Sequence, residues 1–203
     1  MSKLFCVTPA LQALERQMKQ PPGYRSRGYG IHIAKDMDWK RLGNYSEIVD
    51  CVISRMQLEY LKKRVEEIYG KERKETIFHS SKHRKEFYSL LLEKERKTLY
   101  YTSGYAAAIF LLSADEGLWS RVKKSVLDMG IYFDRIRLGS VTLEQYILFH
   151  AAKDVYSQTK HIRLSELTDR ELISDEILRL IVNAFVVEKC GVDIVKQEGW
   201  NED

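Results

Sequence analysis

The sequence predicts an all-α protein: a single multi-helix globular domain over residues 45–203, preceded by a short helix and an arm over residues 1–44. Three observations predict it. Only 3 Pro and 11 Gly interrupt 203 residues, and the abundance of Leu, Glu, Lys and Arg favours helix over strand. Apolar residues recur at three- and four-residue spacings, the period of a helix face. Residues suited to capping stand where those segments begin and end. A hydrophobic fraction of 44% is enough to build one core in a chain of this length.

The elements follow in order. In "TPALQALERQMKQ", Thr8 caps a short helix, Pro9 takes its first position, and Pro21, Pro22 and Gly23 end it. Residues 20–44 carry no helical period and read as the arm. Asn44 with Glu47 forms a capping-box pattern. It opens a long helix whose stripe is Val49, Val52, Ile53, Met56, Tyr60, Val65 and Ile68, and which stops at Gly70. A third helix runs from about Ser81 to Lys97, with Phe87, Leu90 and Leu91 inward. "YYTSGYAAAIFLLSA" is apolar on every side, which marks a central buried helix. A fifth helix is expected from Glu116 to Met129, ending at Gly130. Thr142 and Gln145 form another capping box for "VTLEQYILFHAAKDVY". The last helix has Ser174 as cap, acids in its first turn, Lys189 in its last and Gly191 as its stop.

The longest apolar run, Tyr105 to Leu112, falls far short of the roughly 20 residues a bilayer requires. The first residues lack the pattern of a secretory signal, so the expected location is cytoplasmic and no membrane partner is expected. Cys6, Cys51 and Cys190 are widely spaced and form no paired motif. Cys51 and Cys190 read as small buried apolar residues. No cofactor is indicated. Charge is unevenly distributed: residues 1–44 hold 8 basic and 3 acidic groups, residues 55–100 hold 13 and 8, and residues 165–203 hold 4 and 10. The early basic and late acidic groups either attract each other or serve a polyanion or an acidic protein.

"FHSSKHRKEFYSLLLEKERK", residues 78–97, looks most like chemistry. His79 and His83 stand four apart, a spacing that puts two imidazoles on one helix face for a metal. Ser80 replaces the Glu that a metalloprotease helix needs there. Ser80 or Ser81 is also the natural N-cap, which leaves His79 outside the helix. No metal site is therefore assigned. Lys82, Arg84 and Lys85 crowd the first turn, against the helix dipole, and suit an anion. In "YRSRGYG", Arg25 and Arg27 interleave with tyrosines, as in segments that stack on bases and pair with phosphates. These five cations are the candidate polyanion or partner-binding residues. His150 reads as a satisfied core or boundary histidine. Paired carboxylates, a nucleophile elbow and a phosphate loop are all absent from the sequence, so no catalytic residue is assigned.

"SSKHRKEFYSLL", "AAIFLLSADEGLW", "RLGSVTLEQYILFHAAKDVY" and "LIVNAFVV", within residues 76–195, resemble a family of uncharacterised small helical proteins of Gram-positive bacteria. These are often encoded in prophages and mobile elements. Some members carry a cysteine-rich stretch before the shared region; here only Cys51 stands in that stretch, which puts a metal role for it in doubt. The resemblance implies a helical fold and no assigned activity. The leading expectation is a non-enzymatic protein of a mobile element or phage that binds a protein partner, including host defence complexes as targets to inhibit. The alternatives are a nucleic-acid-binding protein with a basic surface and a metal-dependent enzyme at His79 and His83.

Overall fold

The computed structural model describes residues 45–71, 77–95, 103–127 and 130–191. All fall in one compact unit, Lys40–Asp203. The predicted first helix and arm, with Arg25 and Arg27, lie outside the described residues. The described residues hold seven α-helices: α1 Tyr45–Ser54, α2 Glu59–Lys71, α3 Ser81–Glu95, α4 Ser103–Ser113, α5 Glu116–Val122, α6 Leu143–Ser157 and α7 Asp175–Cys190. A two-stranded hairpin, β1 Val126–Leu127 and β2 Gly130–Ile131, is the one sheet among them. The chain is all-α, as predicted.

The apolar helix α4 is the centre. Every residue from Tyr105 to Ser113 is buried, and each Leu, Ile or Phe so buried contributes about 1.5–3 kcal/mol. α6 packs along it in the opposite sense. Gly104, at the start of α4, lies so close to the end of α6 that a Cβ would stand 3.1 Å from the Val155 carbonyl. At the other end, Gln145 near the start of α6 donates to Asp115, just past α4. α7 covers another side with an apolar face that includes Leu178, Ile181 and Val182. α3 covers a third side through Phe87, whose ring meets Phe110 edge-on at 5.8 Å.

The predicted long helix is two helices. In one unbroken helix, at about 100° per residue, the stripe of Tyr45, Ile48, Val49 and Ile53 and that of Leu61, Arg64, Val65 and Ile68 would face directions roughly a third of a turn apart. Both stripes are buried, so the chain breaks to bring both inward. Met56 N–H turns back to the Ile53 carbonyl at 3.1 Å and closes α1. Tyr60, expected in the stripe, is 86% exposed. α2 runs to Lys71, one residue past the expected stop. The predicted fifth helix also ends early, at Val122. A single 3₁₀ turn, Lys123–Ser125, leads into the hairpin, where Val126 pairs with Ile131 and Leu127 with Gly130. Gly130 has φ +145°, and the Tyr156 hydroxyl occupies the place of a Cβ.

The cap assignments for the last two long helices hold. The Thr142 hydroxyl accepts from Gln145 N–H, and the Gln145 side chain accepts from Thr142 N–H, both at 3.2 Å. Ser174 accepts from Ile177 N–H, and Gly191, at φ +74°, returns its N–H to the Val187 carbonyl.

Two buried polar side chains tie the first helices to α7. Asn183 is fully buried. Its carbonyl oxygen accepts from the Tyr45 hydroxyl at 2.6 Å and the Tyr69 hydroxyl at 2.7 Å, while its amide donates to the Ile77 carbonyl at 2.8 Å. Burial, then the neighbouring Tyr45, raises the Tyr69 pKa far above its ordinary value. Arg64, also buried, donates to Asp175 at 2.9 Å, to the Leu167 carbonyl at 2.7 Å and to the Ile173 carbonyl. It joins α2 to the loop before α7 and to the first residue of that helix.

Replacing Asn183 with Leu keeps the number of side-chain heavy atoms but removes the acceptor of the Tyr45 and Tyr69 hydroxyls and the donor to the Ile77 carbonyl. Asn183→Leu is expected to lower unfolding free energy by about 3 kcal/mol, the scale of losing three hydrogen bonds at a buried polar group. Urea denaturation checks this; a loss under about 1 kcal/mol would mean that the network does not hold α1 and α2 in place.

Candidate functional site

The histidine pair is resolved by its N-cap. Ser80 Oγ accepts from His83 N–H at 3.1 Å, and the Ser80 carbonyl accepts from Arg84 N–H at 3.0 Å. His79 therefore stands outside α3, and the two imidazoles diverge. His79 Nδ1 faces outward and meets Glu176 of α7 at 2.9 Å. His83 is buried. Its Nδ1 accepts from His79 N–H at 3.2 Å, so its proton sits on Nε2 and is donated to the Phe110 carbonyl at 2.8 Å. That carbonyl belongs to the last turn of α4, where no later helical N–H exists to satisfy it. The ring also packs against Phe78 and Phe110. Burial drives the His83 pKa down to about 4, although the Phe110 bond works the other way. Both nitrogens of this imidazole are committed to the fold.

Two of the three candidate cations of α3 turn to the protein's own groups. Lys82 pairs with Glu116 at the start of α5. The Arg84 guanidinium lies 5.8 Å from the Tyr88 ring centroid. Lys85 is exposed. Elsewhere Arg64 pairs with Asp175 and Arg170 with Glu67. Arg64 of the early basic segment thus meets Asp175 of the late acidic one, while the Arg170–Glu67 pair joins the same two segments with the signs reversed.

Between the start of α3 and α5 lies a cleft of about 320 Å³, bordered by His79, Lys82, Glu116 and Lys123. Its polar groups hold structural bonds. Trp119 Nε1–H donates to Glu86 at 2.9 Å. Asp115 caps α5 by accepting from Leu118 N–H at 2.6 Å and also accepts from Gln145 at 2.9 Å. Gly117 is required here, because a Cβ would come within 2.7 Å of the Gln145 amide nitrogen. No three His, Cys, Asp or Glu side chains among the described residues gather to hold a metal. The cleft can receive a polar group of a partner; it presents no poised acid–base pair.

A second cluster was not legible in the sequence. Asp154, on α6, accepts from the backbone N–H groups of His161 and Ile162 at 2.8 and 2.9 Å, from the Thr159 hydroxyl at 2.7 Å and from His161 Nδ1 at 2.7 Å. Burial works against its ionised form, but these donors outweigh it and hold the carboxyl below its usual range. The His161 ring packs tilted against His150 with centroids 4.9 Å apart, and His150 against Tyr146 at 4.3 Å. His150 was expected to be satisfied. Instead its buried Nδ1 meets no hydrogen-bond partner among the described residues, and burial, then His161, lowers its pKa. Cys51 and Cys190 are half-buried rather than buried. Burial, with a contribution from Cys51, pushes the Cys190 thiol up to about 11, the setting of an unreactive thiol. No helix among the described residues is long and apolar enough to cross a membrane.

The chain matches no protein-family model, no curated protein and no solved structure.

His83 sets a pH dependence of stability. The unfolded imidazole takes its proton near pH 6.5, the folded one only near pH 4. Between those values the unfolded state binds more protons, so stability is full above pH 6.5 and falls as the pH drops toward 4. The loss is on the order of 3 kcal/mol at about 1.4 kcal/mol per pH unit. Urea unfolding of the wild type and of His83→Gln, from pH 7 to pH 4.5, measures it. The variant should lose most of this slope; an unchanged slope would assign the dependence to other groups.

Proposed function

We propose that the chain is a non-enzymatic binding protein of a bacterial mobile element or phage that acts by occupying a surface of another protein, a host defence complex being the class of target. The setting rests on the sequence resemblance. The mode of action rests on one observation: an apolar and aromatic row stands at the surface of a firmly capped helix. Leu143 and Tyr146, one turn apart on α6, are 51% and 50% exposed. The Tyr146 ring is continued by the rings of His150 and His161, each tilted against the one before. Rigid aromatic side chains that lose little entropy on contact are the usual anchors of protein interfaces. Asp154 fixes the loop that carries His161, so the row is pre-formed. Commitment of the carboxylates and imidazoles of the α3–α5 cleft to structural bonds supports binding rather than catalysis.

The experiment places a photoreactive phenylalanine analogue at position 146 and irradiates the protein in nuclease-treated host extract. One dominant cross-linked protein is expected. Leu143→Glu with Tyr146→Glu should weaken its binding at least tenfold, while thermal stability changes little, because surface substitutions usually stay within about 0.5 kcal/mol. A partner that disappears on nuclease treatment, or that binds the double variant equally well, would overturn the reading.

A further inference from the structure

Residues 121–137, which join α5 to the approach of α6, contain five basic and two acidic residues. The sequence reading passed over them because it extended a helix through most of the stretch. The fold gathers them on one surface. Arg121 Nη1 donates to the Leu138 carbonyl at 2.8 Å, which brings the end of α5 beside the far end of the segment. Tyr132 N–H donates to the Ser125 carbonyl at 3.0 Å, which sets Tyr132 next to the Lys123–Ser125 turn. Lys123, Lys124, Arg135 and Arg137 are all exposed, as is Tyr132 at 36%. The Arg135 guanidinium lies over the Tyr132 ring, 4.6 Å from its centroid. Asp134, the described acid of the segment, turns to Lys153 on α6 at 3.8 Å. Lys123 also borders the mixed-charge cleft beside α3.

The helix dipole accounts for cations at the end of α5 by a few tenths of a kcal/mol each. It does not account for Arg135 and Arg137, which follow the hairpin, nor for a surface tyrosine backed by a guanidinium. Closely spaced like charges repel, and a polyanion relieves that repulsion. A tyrosine presenting its face among cations fits the flat face of a base, which is available only in an unpaired strand. A duplex read in its groove takes a helix or a longer ribbon, and these strands are two residues each.

We propose that this surface binds single-stranded nucleic acid: Lys123, Lys124, Arg135 and Arg137 contact successive phosphates, and Tyr132, backed by Arg135, stacks on a base. It lies apart from the Leu143–Tyr146 row and stands without the protein-binding reading.

Fluorescence anisotropy of the full chain with a labelled oligothymidylate of about 20 nucleotides tests it. Four phosphate contacts on a single strand predict affinity falling about 50-fold between about 50 and 200 mM salt. Lys124→Glu with Arg137→Glu should weaken binding at least 30-fold and flatten the salt slope. Tyr132→Ala should cost about tenfold, the range for loss of one base stack, and Tyr132→Phe should cost little. A duplex of the same length should bind at least tenfold more weakly. Circular dichroism confirms that each variant is folded. No binding at low salt, binding indifferent to the charge reversal, or equal affinity for heparin with no effect of Tyr132→Ala would each overturn the proposal; the last would leave only a generic polyanion surface.

Discussion

A helix with no polar face has to be covered on every side, and α4 imposes that requirement on the rest of the domain. Tyr105 to Leu112 are all buried, so α3, α5, α6 and α7 take positions that their own apolar stripes could not specify alone. The small residues Gly104 and Ala106–Ala108 let neighbouring backbones approach, which raises packing density where dispersion is strongest. The cost falls at the end of the helix. Its last carbonyls are buried and have no helical donors. Ser113 turns its hydroxyl back toward the Phe110 carbonyl at 3.4 Å, and His83 supplies that carbonyl with a closer donor. The neutral, buried histidine is thus a consequence of the apolar helix. A charged imidazole there would be desolvated beside aromatic rings, a cost that the Phe110 carbonyl offsets only in part.

The same end of the domain gathers the starts of α3, α5, α6 and α7, and their caps are linked. Gln145 closes the capping box of α6 and also donates to Asp115, the cap of α5. Ser174, the cap of α7, donates to Glu144 in the first turn of α6 at 3.2 Å. Glu176 reaches His79, and Glu116 reaches Lys82. The polar, mixed-charge character of the cleft follows from this. Its groups are the terminal fittings of four helices, placed together because each helix begins there. Exposed pairs of this kind contribute little singly, but shared caps make the helix starts depend on one another.

What was legible depended on range. Thr142, Ser174 and Gly191 announce helix ends through bonds within one turn, and those assignments match the structure. Ser80 as a cap was enough to separate His79 from His83. The apolar run of α4 could hardly be anything but central. The break after Ser54 was hidden because both stripes have helical spacing; only their phase differs, and phase matters only once a common core exists. The hairpin was hidden because two-residue strands are too short to show a period. Asn183 looked like a polar residue in an apolar helix, and its partner Tyr45 lies 138 positions away. Asp154 gave no signal either, since the loop it organises is ordered by the carboxylate itself.

The uneven charge of the sequence takes on a different meaning once the fold is known. Counted by segment, the α3 region seemed the strongest basic feature, and residues 165–203 a separate acidic one. The fold brings groups of both together: Arg64 and His79 find their acids on α7, while Lys82 finds Glu116 and Arg170 finds Glu67 on α2. Charges that neutralise one another inside a domain project little field beyond it. What reaches solvent is the remainder, which includes Lys85 on α3 and, in the middle of the chain, Lys124 and Arg137, none with an acidic group within ion-pair distance among the described residues. A local count of cations measures how many charges a segment holds. The field available to a partner depends on which charges the tertiary structure leaves without a counter-charge, and here that criterion reduces the basic feature at the start of α3 and brings forward the turn and hairpin after α5.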